Sequence, residues 1–293
     1  MTPQQQKPPT AAARSATVSG ITIGAGRPLA LIAGPCVIET DDLMMRTAEK
    51  LTGIARRLEI PLIFKSSYEK DNRSTADFYR GPGIDRGLAI LSRIKESFGV
   101  PVTSDVHREG DIAAAAEVLD LVQIPAYLCQ QTSLVLAAGR AGRPVNIKKG
   151  QFLAPHNMAS AVGKLRSVGC GDILLTERGS AFGYNRLVND FIAIPIMRDL
   201  GCPVIYDATH SVRLYGTPSR DPKGGEPQFI PFLARAGVAA GCDALFMETH
   251  PDPPSALCDA ASQFPLPRME WMLQQARRLS EIVREAEAPA GPE

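Results

Sequence analysis

Eight short apolar segments, most of them rich in β-branched residues, alternate along the chain with eight helix-like stretches, and no other feature constrains the fold as strongly. The segments lie at 29–35, 62–65, 100–105, 119–124, 145–148, 173–177, 204–207 and 244–248. Short apolar runs separated by helical periodicity build βα units around a parallel sheet. Eight such units predict an α/β fold of the (β/α)8 TIM-barrel type, which takes ~250 residues as one domain. The chain has 293.

Between the strands, Leu43, Thr47, Leu51, Ile54 and Leu58 recur at helical spacing after the start signal Thr40-Asp41-Asp42, and Leu88, Leu91 and Ile94 do likewise. Further helices are expected at 111–119, 132–139, 157–168, 186–200, 227–241 and 267–286. Ile21-Thr22-Ile23 precedes the first barrel strand and is expected to form a small hairpin that plugs the barrel floor. Residues 1–20, rich in Gln, Pro, Ala, Ser and Thr, are read as a disordered leader, 21–286 as a single catalytic domain, and 287–293 as a disordered tail.

Composition narrows the function. A formal charge of +1 lacks the basic excess that nucleic acid demands, and no apolar run approaches the ~20 residues that span a bilayer. Six cysteines without a Cys-x-x-Cys pair suit reduced thiols in the cytoplasm, and no disulfide is expected.

The reacting groups of such a barrel sit at the carboxyl ends of its strands. Read in order, those ends carry Cys36, Lys65 with Ser67, Asp105 with His107, Gln123, Lys148, Arg178, Asp207 with His210, and Glu248 with His250. The segment 64–75 alone holds two lysines, an arginine and an asparagine among hydroxyl residues, which is anion-binding chemistry. Lys65, Lys70, Lys148 and Arg178 are expected to converge at the mouth, with Gln123 and the backbone of Ala126 as neutral donors. Concentrating positive charge there favours a phosphate and a carboxylate. Lys149 reads equally well as part of this site or as a solvated lysine.

Phe64-Lys65-Ser66-Ser67, with Lys70 and Asn72-Arg73-Ser74, resembles the signature of the 3-deoxy-D-manno-octulosonate-8-phosphate synthases (2-dehydro-3-deoxyphosphooctonate aldolases), and the likeness runs from about residue 29 to about 285. The resemblance implies condensation of phosphoenolpyruvate with D-arabinose 5-phosphate and water, giving 3-deoxy-D-manno-octulosonate 8-phosphate for lipopolysaccharide sugar synthesis. It implies a homotetramer. Val145-Asn146-Ile147-Lys148 and Thr176-Glu177-Arg178-Gly179 are similar to segments that hold phosphoenolpyruvate, together with Lys65, Ser67, Lys70, Gln123 and Ala126. Asn72, Arg73, Ser74 and Asp105 would contact the sugar phosphate, and Lys70, Asp105, Lys148, Arg178 and His210 would serve catalysis. The chain departs from the pattern at Gln130, where arginine is usual, at Ser133, where aspartate is usual, and in Gly224-Gly225-Glu226-Pro227, which lacks an arginine. Two other readings therefore stand beside the first. One is the related 3-deoxy-D-arabino-heptulosonate-7-phosphate synthase acting on erythrose 4-phosphate, and the other is a non-catalytic barrel that binds a phosphorylated metabolite.

Cys36, His210, Glu248 and Asp259 are distant in sequence, yet three fall at barrel strand ends, and their thiolate, imidazole and carboxylates suit Zn2+, Fe2+, Mn2+ or Co2+. Ala33-Gly34-Pro35-Cys36 resembles the metal-dependent branch of the family, with Asp207 to Val212, Met247 to Pro251 and Cys258-Asp259-Ala260 as the matching segments for the remaining ligands. His250 is the rival to Glu248, and Cys258 reads as incidental.

Overall fold

In the computed structural model, which describes residues 14–71, 77–214, 216–218 and 221–287, the sequence alternation closes into a ring. The strands are β1 (Ser15–Val18), β2 (Ile21–Gly24), β3 (Ala30–Gly34), β4 (Leu62–Lys65), β5 (Val102–Asp105), β6 (Leu121–Ile124), β7 (Val145–Lys148), β8 (Ile173–Glu177), β9 (Ser180–Ala181), β10 (Leu187–Val188), β11 (Val204–Asp207), β12 (Ala244–His250) and β13 (Phe264–Pro265). Strands β3 to β8 pair in chain order and in parallel. β8 then pairs with β11, β11 with β12 and β12 with β3, so the eight-stranded barrel has no open edge. Its helices are α1 (Asp41–Arg57), α2 (Ile84–Phe98), α3 (Ile112–Val118), α4 (Thr132–Arg140), α5 (Met158–Ser167), α6 (Ala193–Arg198), α7 (Ile230–Ala239) and α8 (Met269–Glu287).

Local chemistry sets the helix ends. The Thr40 side chain accepts the Leu43 amide at 3.3 Å, while Asp41 and Asp42 open α1 and Arg56 and Arg57 close it, each with the sign that complements the helix dipole. The helix expected at 186–200 is confined to α6, because Pro195 lacks an amide hydrogen and is accommodated only in a first turn. Leu187–Val188 pairs instead with Ser180–Ala181. The α7 region likewise starts as a 3-10 turn at Pro227–Phe229, with Pro231 in the first turn of the helix proper.

The two-residue period of a strand separates two cores. One face of each strand, such as Leu31 and Ala33 on β3 or Val145 and Ile147 on β7, packs beneath the helices. The other face points into the barrel, where Ala30, Ile32, Ile63, Leu121, Leu174, Ile205, Ala244 and Phe246 form a separate cluster with Ala16, Val18 and Ile23 of β1 and β2. The expected floor plug is thus present, and it is larger than expected. Ser15–Val18, assigned to the leader, is the antiparallel partner of Ile21–Gly24. The Thr17 amide donates to Asp172 at 2.8 Å, fastening the hairpin to the barrel bottom. Residues 1–13 and 288–293 lie outside the described chain.

Continued upward, the same parity carries polar side chains on every strand but β3. Ile63 gives way to Lys65, Thr103 to Asp105, Leu121 to Gln123, Asn146 to Lys148, Leu174 to Thr176, Ile205 to Asp207 and Phe246 to Glu248, all buried. Close strand approach at the mouth depends on Gly34, where an added Cβ would lie 2.0 Å from the Lys65 carbonyl oxygen. No helix among the described residues is long and apolar enough to cross a membrane.

Candidate active site

Asp105, at the end of β5, is the hub of one half of the mouth. Its Oδ2 accepts from Ser67 Oγ at 2.8 Å and from Lys70 Nζ at 3.2 Å, and its Oδ1 accepts from Gln123 Nε2 at 2.7 Å. The Gln123 amide is fixed in turn, because its Oε1 accepts from Asn146 Nδ2 at 2.9 Å and Asn146 Oδ1 accepts from Thr176 Oγ1 at 2.8 Å. A ladder of hydrogen bonds therefore runs around the interior from Ser67 to Thr176, one strand per rung. Burial alone would raise the Asp105 carboxyl, but Lys70, Lys65 and Lys148 hold it well below the usual carboxylate range, so it is an anion.

Lys65 lies between the two halves. Its Nζ donates to Glu248 Oε1 at 2.5 Å and to the Cys36 carbonyl at 3.1 Å, and it is 3.8 Å from Asp105 Oδ2. Lys70 reaches the same Glu248 oxygen at 3.7 Å. Against its burial, the Glu248 and Asp105 carboxylates beside it raise the Lys70 ammonium well above its ordinary value. On the other side Lys148 Nζ is 2.6 Å from Asp207 Oδ2 and 3.8 Å from the centroid of the Phe246 ring. Asp207, desolvated but facing His210, Lys148 and Arg178, is held well below the carboxylate range. Arg178 is buried at the end of β8, and its amide donates to Glu177 Oε1 at 2.9 Å.

The expected cations do converge, but not unopposed. Buried carboxylates balance the lysines directly, so the charge argument for a bound anion is weaker than the sequence suggested, and positioning carries more of it. Asn72, Arg73 and Ser74 lie outside the described residues. Ala126 opens the 3-10 turn that follows β6, beside Gln123. Lys149 is not solvated. Its Nζ is fully buried among the carbonyls of Gly150, Leu153 and Gly179, with Ser180 Oγ at 3.1 Å and Glu177 Oε1 at 3.5 Å, and it knits the loops after β7 and β8 together.

The four expected metal ligands meet at this mouth. His210 Nε2 lies 3.5 Å from Glu248 Oε2 and 3.7 Å from Asp259 Oδ2, and Asp259 Oδ2 is 3.5 Å from Cys36 Sγ. His210 Nδ1 is engaged by Asp207 Oδ2 at 2.7 Å, the carboxylate–histidine arrangement that leaves Nε2 for an ion. Burial lowers the His210 pKa despite Asp207 and Glu248, favouring the neutral imidazole a ligand requires. Glu248, desolvated but 2.5 Å from the Lys65 ammonium and near Lys70, is held below its ordinary carboxylate value. Donor identity fits a divalent transition ion, and the donors fall into two triads that share Asp259, Cys36 with Cys258 and His210 with Glu248; burial keeps the Cys36 thiol protonated until an ion displaces its proton. His250 does not compete. It turns away to Asp252, whose amide donates to its Nδ1 at 3.0 Å. Cys258, read as incidental, has its sulfur 2.7 Å from that of Cys36.

Four site residues stand in the sequence reading without a role: Asp207 only as a strand-end group, Asn146 and Thr176 only as members of quoted segments, and Cys258 as incidental. The first three had a signal: each is a polar residue at inward parity on a barrel strand. Cys258 had none, because a loop residue's neighbours are set by the fold.

The family model described as the DAHP synthetase I family matches residues 4–285. The 2-dehydro-3-deoxyphosphooctonate aldolases of Trichlorobacter lovleyi and Citrifermentans bemidjiense are each 51% identical to the chain, over 92% and 93% of it and 98% and 99% of their own lengths. The chain belongs to this family. The aldolase of Acidithiobacillus ferrooxidans is 50% identical over 92% of the chain and 96% of its own length. The span matched by the family model, 4–285, includes all the ladder and ion-pair residues.

Proposed function

We propose that this site condenses phosphoenolpyruvate with D-arabinose 5-phosphate and water, forming 3-deoxy-D-manno-octulosonate 8-phosphate and inorganic phosphate. The observation that carries the reading is the meeting of Lys65, Lys70, Lys148, Arg178 and Asp105 at one mouth, in a chain about half identical to aldolases of that name. Lys148 and Arg178 would hold the phosphate and carboxylate of the enol substrate, with Lys65, Ser67, Gln123 and the Ala126 backbone completing its shell. C3 of phosphoenolpyruvate attacks the sugar aldehyde, water adds at C2, and the hemiketal phosphate collapses with loss of phosphate. Lys70, kept charged by its acidic neighbours, is placed to stabilise the alkoxide that forms from the aldehyde. Asp105, an anion held by three donors with an acceptor position left on Oδ1, orients a sugar hydroxyl rather than storing a proton. Preorganised charge and orientation supply most of the acceleration.

Cys36, His210, Glu248 and Asp259 would hold a divalent ion, Zn2+, Fe2+, Mn2+ or Co2+, which when bound supplies Lewis acidity toward a carbonyl or water oxygen. The enzyme is read as a cytoplasmic homotetramer, as the family resemblance implies; six buried cysteines support a reducing compartment.

The test is phosphate release from phosphoenolpyruvate by the purified protein. Release with arabinose 5-phosphate and not with erythrose 4-phosphate is expected. A preference for the four-carbon sugar would replace this reading with the heptulosonate synthase, and release with neither sugar would replace it with a binding barrel. Prior treatment with a chelator is expected to abolish release, and added ion to restore it; activity indifferent to both would remove the metal from the mechanism.

A further inference from the structure

Cys36 and Cys258 come from different parts of the chain and are buried side by side, sulfur to sulfur. One side chain enforces this. Gln263 Oε1 accepts the Cys36 amide at 3.3 Å, while Gln263 Nε2 donates to the Cys258 carbonyl at 2.9 Å. Asp259 bends the chain between them with a left-handed φ of 51°, which aspartate tolerates better than most residues. Packing offers no reason for the pairing, since Cys36, Val37 and Cys258 form a small cluster separate from both barrel cores. Chemistry does. The Cys36, Cys258 and Asp259 donor atoms all lie within 4.8 Å of one another, as do those of His210, Glu248 and Asp259, so the two triads share a carboxylate.

We propose that Cys258 is a metal ligand, so that the centre carries two thiolates and takes thiophilic divalent ions such as Zn2+ and Cd2+ in preference to Mn2+. This rests on the metal reading above and deepens it. Two metal–sulfur bonds of ~2.3 Å at a near-tetrahedral angle to each other separate the sulfurs by about 3.8 Å, roughly an ångström beyond the present contact and within reach of small side-chain rotations. Loading exchanges two S–H bonds for two metal–sulfur bonds and releases two protons.

The experiment uses the full chain, stripped with a chelator under a thiol-free reductant and then titrated with Co2+, Cd2+ or Mn2+. X-ray absorption of the zinc-loaded protein should count two sulfur neighbours, with no variant required. The sulfur-to-cobalt charge-transfer band should fall about twofold in Cys258→Ser, and Cd2+ affinity should fall about tenfold or more while Mn2+ affinity stays within about twofold. One sulfur neighbour in the unaltered protein, with a cobalt band that Cys258→Ser leaves unchanged, would overturn the role of Cys258 and leave the four-ligand centre standing. No ion uptake at all would overturn both. An intact mass two hydrogens light, persisting under reductant with ion present, would mark a Cys36–Cys258 disulfide and overturn the proposal as well.

Discussion

Lys148 donates to a buried carboxylate and covers the Phe246 ring, so replacing its ammonium strips Asp207 of a partner as well as removing a contact for the enol phosphate. Lys148→Met is expected to slow sugar-dependent phosphate release on the order of 10²- to 10³-fold and to raise KM for phosphoenolpyruvate. A variant as active as the parent protein would remove Lys148 from the site. At the opposite end of the barrel, Asp243 accepts the Val204 amide at 2.8 Å, and burial pushes its pKa up to about 6 although Arg198 pulls it down. From its ordinary value near 4 up to about 6, the folded state holds a proton that the unfolded state has released, so stability declines as pH rises through that window. Asp243→Asn keeps an acceptor for Val204 and removes the penalty. It should gain about 2 kcal/mol over the parent at pH 8 and much less near pH 4, read from urea unfolding at both values; a gain independent of pH would refute the assignment. These two residues also mark the limit of the sequence. Lys148 was legible because cations at strand ends stand out, whereas Asp243 is an unremarkable loop acid until the fold buries it.

At the scale of elements, every barrel strand lay where periodicity put it, because parallel strands buried on both faces are written as short apolar runs. What periodicity could not carry was the effect of single prolines, which cut the 186–200 helix to one short piece around Pro195, and the pairing of β1, whose Ser15-Ala16-Thr17-Val18 is too brief to stand out from a polar leader. That hairpin closes the floor with Val18 and Ile23, both fully buried against the barrel interior and both remote from the polar mouth. Ile23→Ala is therefore expected to cost about 2–4 kcal/mol of stability while leaving turnover per folded molecule unchanged at a temperature where both proteins are folded. Loss of turnover in a fully folded variant would mean that floor and mouth are coupled, which the layered interior does not suggest.

The whole molecule divides into an apolar floor, a belt of charges at the mouth and, beside the mouth, more exposed aromatic surface than a lone barrel has use for. Phe152, Phe182 and Tyr184 are 56%, 91% and 68% exposed on the loops after β7 and β8, which the Ala181 amide ties together through the Gln151 carbonyl at 2.9 Å. Tyr184 continues into a cleft of 380 Å³ with Phe229 and Phe232. Large aromatic side chains left in water together mark surfaces that another chain covers, and the same loops carry Arg178 and Lys149, so covering them would also rigidify the site. If the chain forms the proposed homotetramer, and does so through this face, Phe182→Asp places a charge where the partner must be dry and is expected to shift the species seen in sedimentation toward smaller assemblies. Phosphate release should fall with it, while the unfolding of the isolated barrel stays within about 0.5 kcal/mol of the parent, as befits a surface substitution. An unchanged sedimentation profile would assign these aromatics to the mouth alone and place subunit contacts on another face.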